Sequence, residues 1–198
     1  RNKLLKELYL HPDYREVLDV LDMQLVQYGS ALIQRRQTFA EELGEIVHRI
    51  HSQLSGGQEE MELKYEPNVT VDAFAQMLFS NRERDMRLKT TATGPHRDDI
   101  SFVVNGVDIR KFGSQGQQRT AALSLKLSEI ELVKRLIGDT PVLLLDDVLS
   151  ELDSGRQNYL LNSIENIQTL ITCTGLDEFV NHRFSINRIY KVTDGSVT

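Results

Sequence analysis

The apolar positions of the first third recur at helical spacing. Leu18, Leu21, Leu25, Tyr28 and Leu32 follow one another by three and four residues; after a polar gap at Arg35 and Arg36 the stripe resumes with Phe39, Leu43, Ile46, Ile50 and Leu54. This period predicts one long helix with a heptad-like seam as far as Phe39, shifted by one position beyond it. Pro12 lies near its start and Gly56-Gly57 end it. A helix of about 40 residues is far above the mean of about 11–12. It must therefore pack along its length, and residues 1–10 could supply part of a partner helix. As a packing helix it carries no chemistry. His48 and His51 lack the Cys or carboxylate pattern of a metal site and are expected to be solvated.

The pattern then changes. Glu60-Met61-Glu62-Leu63-Lys64-Tyr65 alternates polar and apolar, which predicts a short half-exposed strand. Thr70 is a plausible N-cap for a helix carrying Phe74, Met77, Leu78 and the charged segment 81–89. Gly94-Pro95 marks a turn, after which Ile100, Phe102 and Val104 alternate into a strand. Asn105-Gly106 is a type I′ hairpin signal leading into Val107-Asp108-Ile109. Leu123, Leu127, Ile130, Val133 and Ile137 then line one face of a helix closed by Gly138. The unbroken run Val142–Leu145 predicts a fully buried strand, in a sheet covered on both faces. Asp153-Ser154 opens another helix, 168–172 form the next strand, and Asp194-Gly195 is a second hairpin signal. Strand, helix and strand in this order imply a parallel pair with a right-handed crossover. The class is α/β.

Composition narrows the function classes. The chain has 198 residues, ample for a packed core, and ordinary hydrophobic (40%) and charged (26%) fractions. Net charge is −6, so contact with DNA would need a local basic patch. Arg82, Arg84, Arg87 and Lys89 form the densest such cluster; a solvated helix end is the other account of them. A single cysteine, Cys173, suits a reducing cytosol, and no apolar run approaches the ~18 residues of a membrane span. Arg1–Leu8 reads as the interior of a helix, which leads us to expect further sequence upstream.

Two segments carry candidate chemistry. In Phe112-Gly113-Ser114-Gln115-Gly116-Gln117-Gln118-Arg119, Ser114 and Gln117 fit a capping box, so a helix begins there. A helix N-terminus reached through glycines favours phosphate, and Gly113 and Gly116 would let a ligand approach the backbone; an ordinary capped helix has the same pattern. The strand at 142–145 ends in Asp146-Asp147. One carboxylate there could hold hydrated Mg²⁺ and the next could orient a water for attack on phosphate, or the strand simply ends in a polar turn. His96, Asp98 and Asp99 could suggest a metal site. A period of two sends Asp99 the other way, so His96 and Arg97 are read instead as contacts for phosphate or a neighbouring domain.

Taken together these motifs resemble the ABC-type ATPases. Gly113-Ser114-Gln115-Gly116-Gln117 is similar to their signature motif, with Gln115 replacing the first of two central glycines. Leu143–Asp147 resembles a Walker B strand, and Ser150-Glu151-Leu152-Asp153 a D-loop. With Gly94-Pro95-His96-Arg97-Asp98-Asp99 added, the wording resembles the RecF family of bacterial recombination and repair ATPases, densely from Thr93 to Thr174 and more loosely in the helical arm. The resemblance implies residues 1–92 as a helical arm with a small strand and helix return. It implies 93–198 as the C-terminal half of an ATPase head, a mixed or parallel sheet with flanking helices.

It also implies roles. Ser114, Gln115, Gly116 and Gln117 would face ATP held by a second protomer, and Asp146 would hold Mg²⁺ through water. Asp147 would orient the attacking water, while Ser150, Asp153 and Thr174 would serve as D-loop and switch contacts. Asp147 stands where this ATPase class has Glu, and Thr174 where it has His. The shorter Asp shifts the carboxylate by roughly a bond length, enough to slow hydrolysis, and a Thr hydroxyl carries no charge. Implied partners are DNA, single-stranded or gapped, RecR and RecO in recombinase loading, and a second copy on ATP binding. None of the 12 glycines is followed by Lys, so a P-loop is not in this stretch, and the 198 residues alone are expected neither to bind ATP tightly nor to hydrolyse it. The alternatives are an SMC-like chromosome-organising head, against which the short arm argues, and a non-catalytic dimerisation or partner-binding module.

Overall fold

The computed structural model describes residues 1–8, 10–173 and 188–198. The chain divides into two compact units, Arg1–Leu132 and Val133–Thr198.

The first unit opens with α1 (Asn2–Glu7), a single turn at Pro12–Tyr14, and the arm helix α2 (Arg15–Leu54). At 40 residues α2 has the expected length. It ends as the glycines require: Gly56 and Gly57 take φ of +64° and +76°, and the Gly57 N–H bonds the Ser52 carbonyl at 2.7 Å. Strand β1 (Met61–Glu66) follows, then α3 (Val71–Ser80) and α4 (Arg82–Leu88). The single helix expected across 71–89 is broken at Asn81, whose side chain turns aside to donate to Thr93 Oγ1 at 2.9 Å.

The arm packs differently from its heptad reading. It lies against β1 and α3, and its buried side is Leu18, Gly29, Ile33, Ala40, Leu43, Ile46, Val47, Ile50, His51 and Leu54. Tyr28, Leu32 and Phe39 of the expected seam are exposed. The cause is Gly29. A Cβ there would meet Phe74 Cε1 at 2.5 Å, so the missing side chain lets α3 press its fully buried Phe74 onto α2. Ile33, Val69, Phe74 and Leu78 form the core of that contact.

After a turn at Pro95–Arg97, β2 (Asp99–Val104) pairs antiparallel with β1 from Glu66↔Asp99 to Met61↔Val104. Asn105 and Gly106, with φ of +48° and +81°, make the expected hairpin to β3 (Val107–Asp108). The strand stops there because the Asp108 side chain accepts from the Arg110 N–H and caps α5 (Ile109–Phe112). Helix α6 (Gln115–Ile137) buries Leu123, Leu127 and Ile130 as its period predicts, while Ile137 is exposed.

In the second unit β4 (Leu143–Asp146) and β5 (Thr169–Thr172) are parallel, joined through α7 (Ser154–Ser163). The fully buried strand is not found. Leu145 is 6% exposed but Leu144 is 71% and Leu170 56% exposed. A parallel pair has two faces, and no described residue covers the face carrying Leu144 and Leu170. Asp194 and Gly195, both at positive φ, form the second hairpin between β6 (Val192–Thr193) and β7 (Ser196–Val197).

Candidate functional site

The start of α6 is a complete capping box. The Ser114 hydroxyl accepts from the Gln117 N–H at 3.2 Å, and Gln117 Oε1 accepts from the Ser114 N–H at 3.0 Å. The Ser114 carbonyl takes the Gln118 N–H at 3.0 Å, so the helix is wound from its first residue. Ser114, Gln115 and Gly116 are exposed, with the unpaired first-turn N–H groups and the positive dipole end behind them. An anion can reach that end.

The two glycines differ in purpose. A Cβ on Gly113 would lie 2.6 Å from the Ile109 carbonyl oxygen and 2.7 Å from its Cβ, so Gly113 lets the chain fold back onto α5. At Gly116 the nearest atom is Ser114 Oγ at 3.9 Å, which leaves the backbone open to a ligand.

Behind the box runs a chain of polar contacts that the sequence reading missed. Gln117 Nε2 donates to Glu59 Oε1 at 3.0 Å, Glu59 Oε2 lies 3.2 Å from His51 Nε2, and His51 Nδ1 lies 2.9 Å from Ser124 Oγ. His51 is wholly buried, not solvated. Its position was readable: it follows Val47 by four residues, on the face that also buries Ile50 and Leu54. His48 faces the strand, with Nδ1 3.2 Å from the Met61 carbonyl oxygen.

Asp146 and Asp147 lie at the carboxyl end of β4, both exposed. Thr172, paired with Asp146 across the sheet, donates its hydroxyl to Asp146 Oδ1 at 2.5 Å. Asp147 turns out of the strand with φ +50°, a conformation Asp tolerates better than most residues, and its N–H bonds the Thr172 carbonyl at 3.2 Å. The Ser150 hydroxyl closes the turn on the Asp147 carbonyl at 2.8 Å. One exposed carboxylate beside a hydroxyl suits Mg²⁺, which takes one or two carboxylates and completes its shell with water and phosphate oxygens. Among the described residues no group of three or more His, Cys, Asp or Glu forms a metal cluster.

Asp153 caps α7, accepting from the Arg156 N–H at 3.0 Å and pairing with its guanidinium at 2.6 Å. That N–H, with the nearby positive charge, holds the Asp153 carboxyl below the usual carboxylate value. Thr174 lies outside the described residues.

The basic cluster is divided. Arg82 is drawn into a 2.5 Å ion pair with Asp19 of the arm, whereas Arg84, Arg87 and Lys89 are exposed. The Gly94–Asp99 segment is anchored by hydrogen bonds to its surroundings. Buried Asp98 accepts from Arg36 at 2.8 Å, from the Asn68 N–H at 3.0 Å and from the Tyr65 hydroxyl. Residues 95–97 form a tight turn, so no period of two applies there, and His96 Nε2 lies 2.9 Å from the Thr91 carbonyl oxygen.

No family model matches the chain. It is 58% identical over 199 residues to the DNA replication and repair protein RecF of Lachnospira eligens, covering 100% of this chain and 55% of that protein. The RecF of Agathobacter rectalis is 58% identical over 197 residues, with 54% of it covered, and that of Clostridium perfringens 40% over 202 residues, with 55% covered. Among solved structures, the recombination mediator protein RecF with ATP in the RecFOR pathway superposes with a TM-score of 0.84 at 34% identity, over all of this chain and 54% of that one. The mixed α/β fold is thus shared along the whole chain, which spans about half the length of the curated relatives it matches.

Proposed function

Because the chain belongs to the RecF family, aligned with the C-terminal half of its members, we propose that it supplies the signature segment, the acidic strand end and the arm of an ATP-dependent DNA-binding protein of recombinational repair and replication. The phosphate cradle and its Lys come from the part of the relatives that this chain does not span. ATP then sits between two copies, each closing its partner's site with the start of α6.

The observation that carries this reading is the capping box. It fixes Ser114, Gln115 and Gly116 at an exposed helix N-terminus, where a γ-phosphate gains dipole stabilisation without rearranging the backbone. Mg²⁺ would supply charge neutralisation to the phosphates. Asp146, steadied by Thr172, holds its water shell. Asp147 orients the attacking water from its turned backbone, Asp153 and Ser150 shape the loop that meets the partner copy, and Thr174 takes the switch position. Arg84, Arg87 and Lys89 contact DNA phosphates, and Arg82 serves them by tying α4 to the arm. RecR and RecO complete the assembly at gaps, in the cytoplasm. No helix among the described residues is long and apolar enough to cross a membrane.

The test is self-association of the complete protein, followed by light scattering with and without ATP. Association that requires ATP and is abolished by Ser114→Arg supports the reading. Association that ignores both would sink it.

A further inference from the structure

We propose that Glu59, clamped by the buried His51, is a positioning residue that sets the signature capping box and ties it to the end of the arm helix. The inference rests on the reading of α6 as the nucleotide-facing helix.

The argument begins with an amide that has two orientations. Gln117 uses Oε1 to accept from the Ser114 N–H and Nε2 to donate to Glu59. A flipped amide would set its NH₂ against the Ser114 N–H and its carbonyl against a carboxylate. Glu59 is an acceptor only, so it permits one orientation, the one that closes the box. A charge-assisted contact of this kind is stronger than a neutral one.

Glu59 is itself held on two sides. Its N–H donates to Ser55 Oγ at 3.2 Å and the same hydroxyl lies 3.3 Å from its carbonyl oxygen, which fixes the backbone just after the turn that ends α2. Its second carboxylate oxygen meets the His51 ring. His51 is 0% exposed and Glu59 18%, so the carboxylate is steered by a ring that cannot swing into water. The ring is anchored in turn by Ser124, whose hydroxyl lies 2.7 Å from the Thr120 carbonyl oxygen inside α6. Arg49 of the arm and Glu131 of α6 form a further ion pair along the same two helices.

Acid, imidazole and hydroxyl in series also resemble a nucleophilic triad. Burial rules that use out: Ser124 and His51 are both wholly enclosed, so no substrate reaches the hydroxyl. What the series can do is transmit position. The end of the arm determines where Glu59 stands, and Glu59 determines how the Gln117 amide faces.

The experiment follows ATP-driven self-association of the complete protein, with wild type and Ser114→Arg as reference. Glu59→Ala is expected to raise the ATP concentration for half-maximal association about tenfold, about 1.4 kcal/mol, without lowering its final extent. Glu59→Gln carries no charge and can offer Gln117 a donor as well as an acceptor, so it no longer dictates one orientation and is expected to shift association in the same direction as alanine by a smaller factor, about threefold. Should alanine prevent folding, Glu59→Asp, one methylene short of both partners, is expected to shift association in the same direction. Amide exchange gives a readout that needs no nucleotide: the Ser114 N–H, which the Gln117 side chain accepts, exchanges faster in Glu59→Ala, while amides in the middle of α6 keep wild-type rates. Wild-type association by Glu59→Ala, or unchanged exchange of the Ser114 N–H in that variant, overturns the positioning role. If wild type associates regardless of ATP and Ser114→Arg changes nothing, the nucleotide reading has failed instead, and exchange of the Ser114 N–H alone decides the role of Glu59.

Discussion

Thr172 holds Asp146. Its hydroxyl donates to the carboxylate at 2.5 Å, and the same oxygen accepts the Asp147 N–H at 3.1 Å, so one threonine on β5 fixes both acids at the end of β4. The parallel register makes this possible by setting Asp146 directly opposite Thr172. Neither acid needs burial to be ordered.

Thr172→Val removes both bonds and keeps the β-branched shape. Hydrolysis by the complete protein is expected to fall about tenfold, the effect of roughly 1.4 kcal/mol of lost carboxylate orientation. Thr172→Ser restores the hydroxyl and should recover most of the rate. Steady-state phosphate release at saturating ATP and Mg²⁺ measures both; equal rates in the two variants would show that the hydroxyl is idle.

Gly113 and Gly116 should respond in opposite ways to alanine. Gly113→Ala drives a Cβ into the Ile109 backbone, an overpacking that costs about 1–3 kcal/mol in denaturant unfolding. Gly116→Ala meets only Ser114 Oγ at 3.9 Å and should unfold like wild type. ATP-driven association nonetheless weakens in Gly116→Ala, because the added methyl occupies the approach of the phosphate. Wild-type association by this variant would remove Gly116 from the nucleotide-facing surface.

Much of this is legible in the amino-acid sequence. Both hairpins and the capping box follow from local chemistry at Asn105-Gly106, Asp194-Gly195, Ser114 and Gln117, the helix of 40 residues from apolar spacing stopped by Gly56-Gly57, and the parallel pair from the strand–helix–strand order. What escaped was non-local. The apolar stripe holds at Leu18 and from Leu43 to Leu54 but departs at Tyr28, Leu32 and Phe39, where the close approach of Gly29 to Phe74 turns the buried side of α2. His51 was misjudged because a polar side chain on a buried face needs its partners to be known, and those stand 8 and 73 residues away. The strand 143–146 has the composition of a strand buried on both faces, and composition does not say which atoms supply the cover. The division at 92/93 separates motifs rather than packing, since β1 and β2 pair across it, and as a domain boundary it remains our proposal.

Tyr65 gives the arm a pH signature. Burial, then the hydrogen bond to Asp98, pushes its phenol up to about 12 from an ordinary value of 10.0. The folded state therefore keeps this proton where the unfolded chain has lost it. The resulting stability is complete below about pH 10 and is lost as pH rises towards about 12. Tyr65→Phe should cost about 1–2 kcal/mol at neutral pH, leaving Asp98 to Arg36 and the Asn68 N–H, and should lose less between those two pH values than wild type does. Urea unfolding across that range checks it; parallel curves for the two proteins would place the proton elsewhere.

Asp147→Asn separates binding from chemistry. Asn adopts the left-handed backbone as readily as Asp, so φ +50° costs it nothing extra and the turn closed by Ser150 survives. Unfolding should shift by less than about 0.5 kcal/mol, as for an exposed substitution without special contacts. The amide has nearly the carboxylate's shape but cannot take up or steer the water's proton, and loss of a positioned base typically removes about 10²–10⁴ in rate. On the proposed reading, nucleotide-driven association uses the start of α6 and the Asp146 side chain, which Asp147→Asn leaves intact. The complete protein is therefore expected to associate on ATP at wild-type concentrations and to remain associated, because hydrolysis no longer ends the state. Single-turnover phosphate release and the lifetime of the dimer measure the two halves of this expectation. A variant that hydrolyses at the wild-type rate would move the water-orienting role off Asp147, and one that no longer associates would tie that residue to the architecture of the interface.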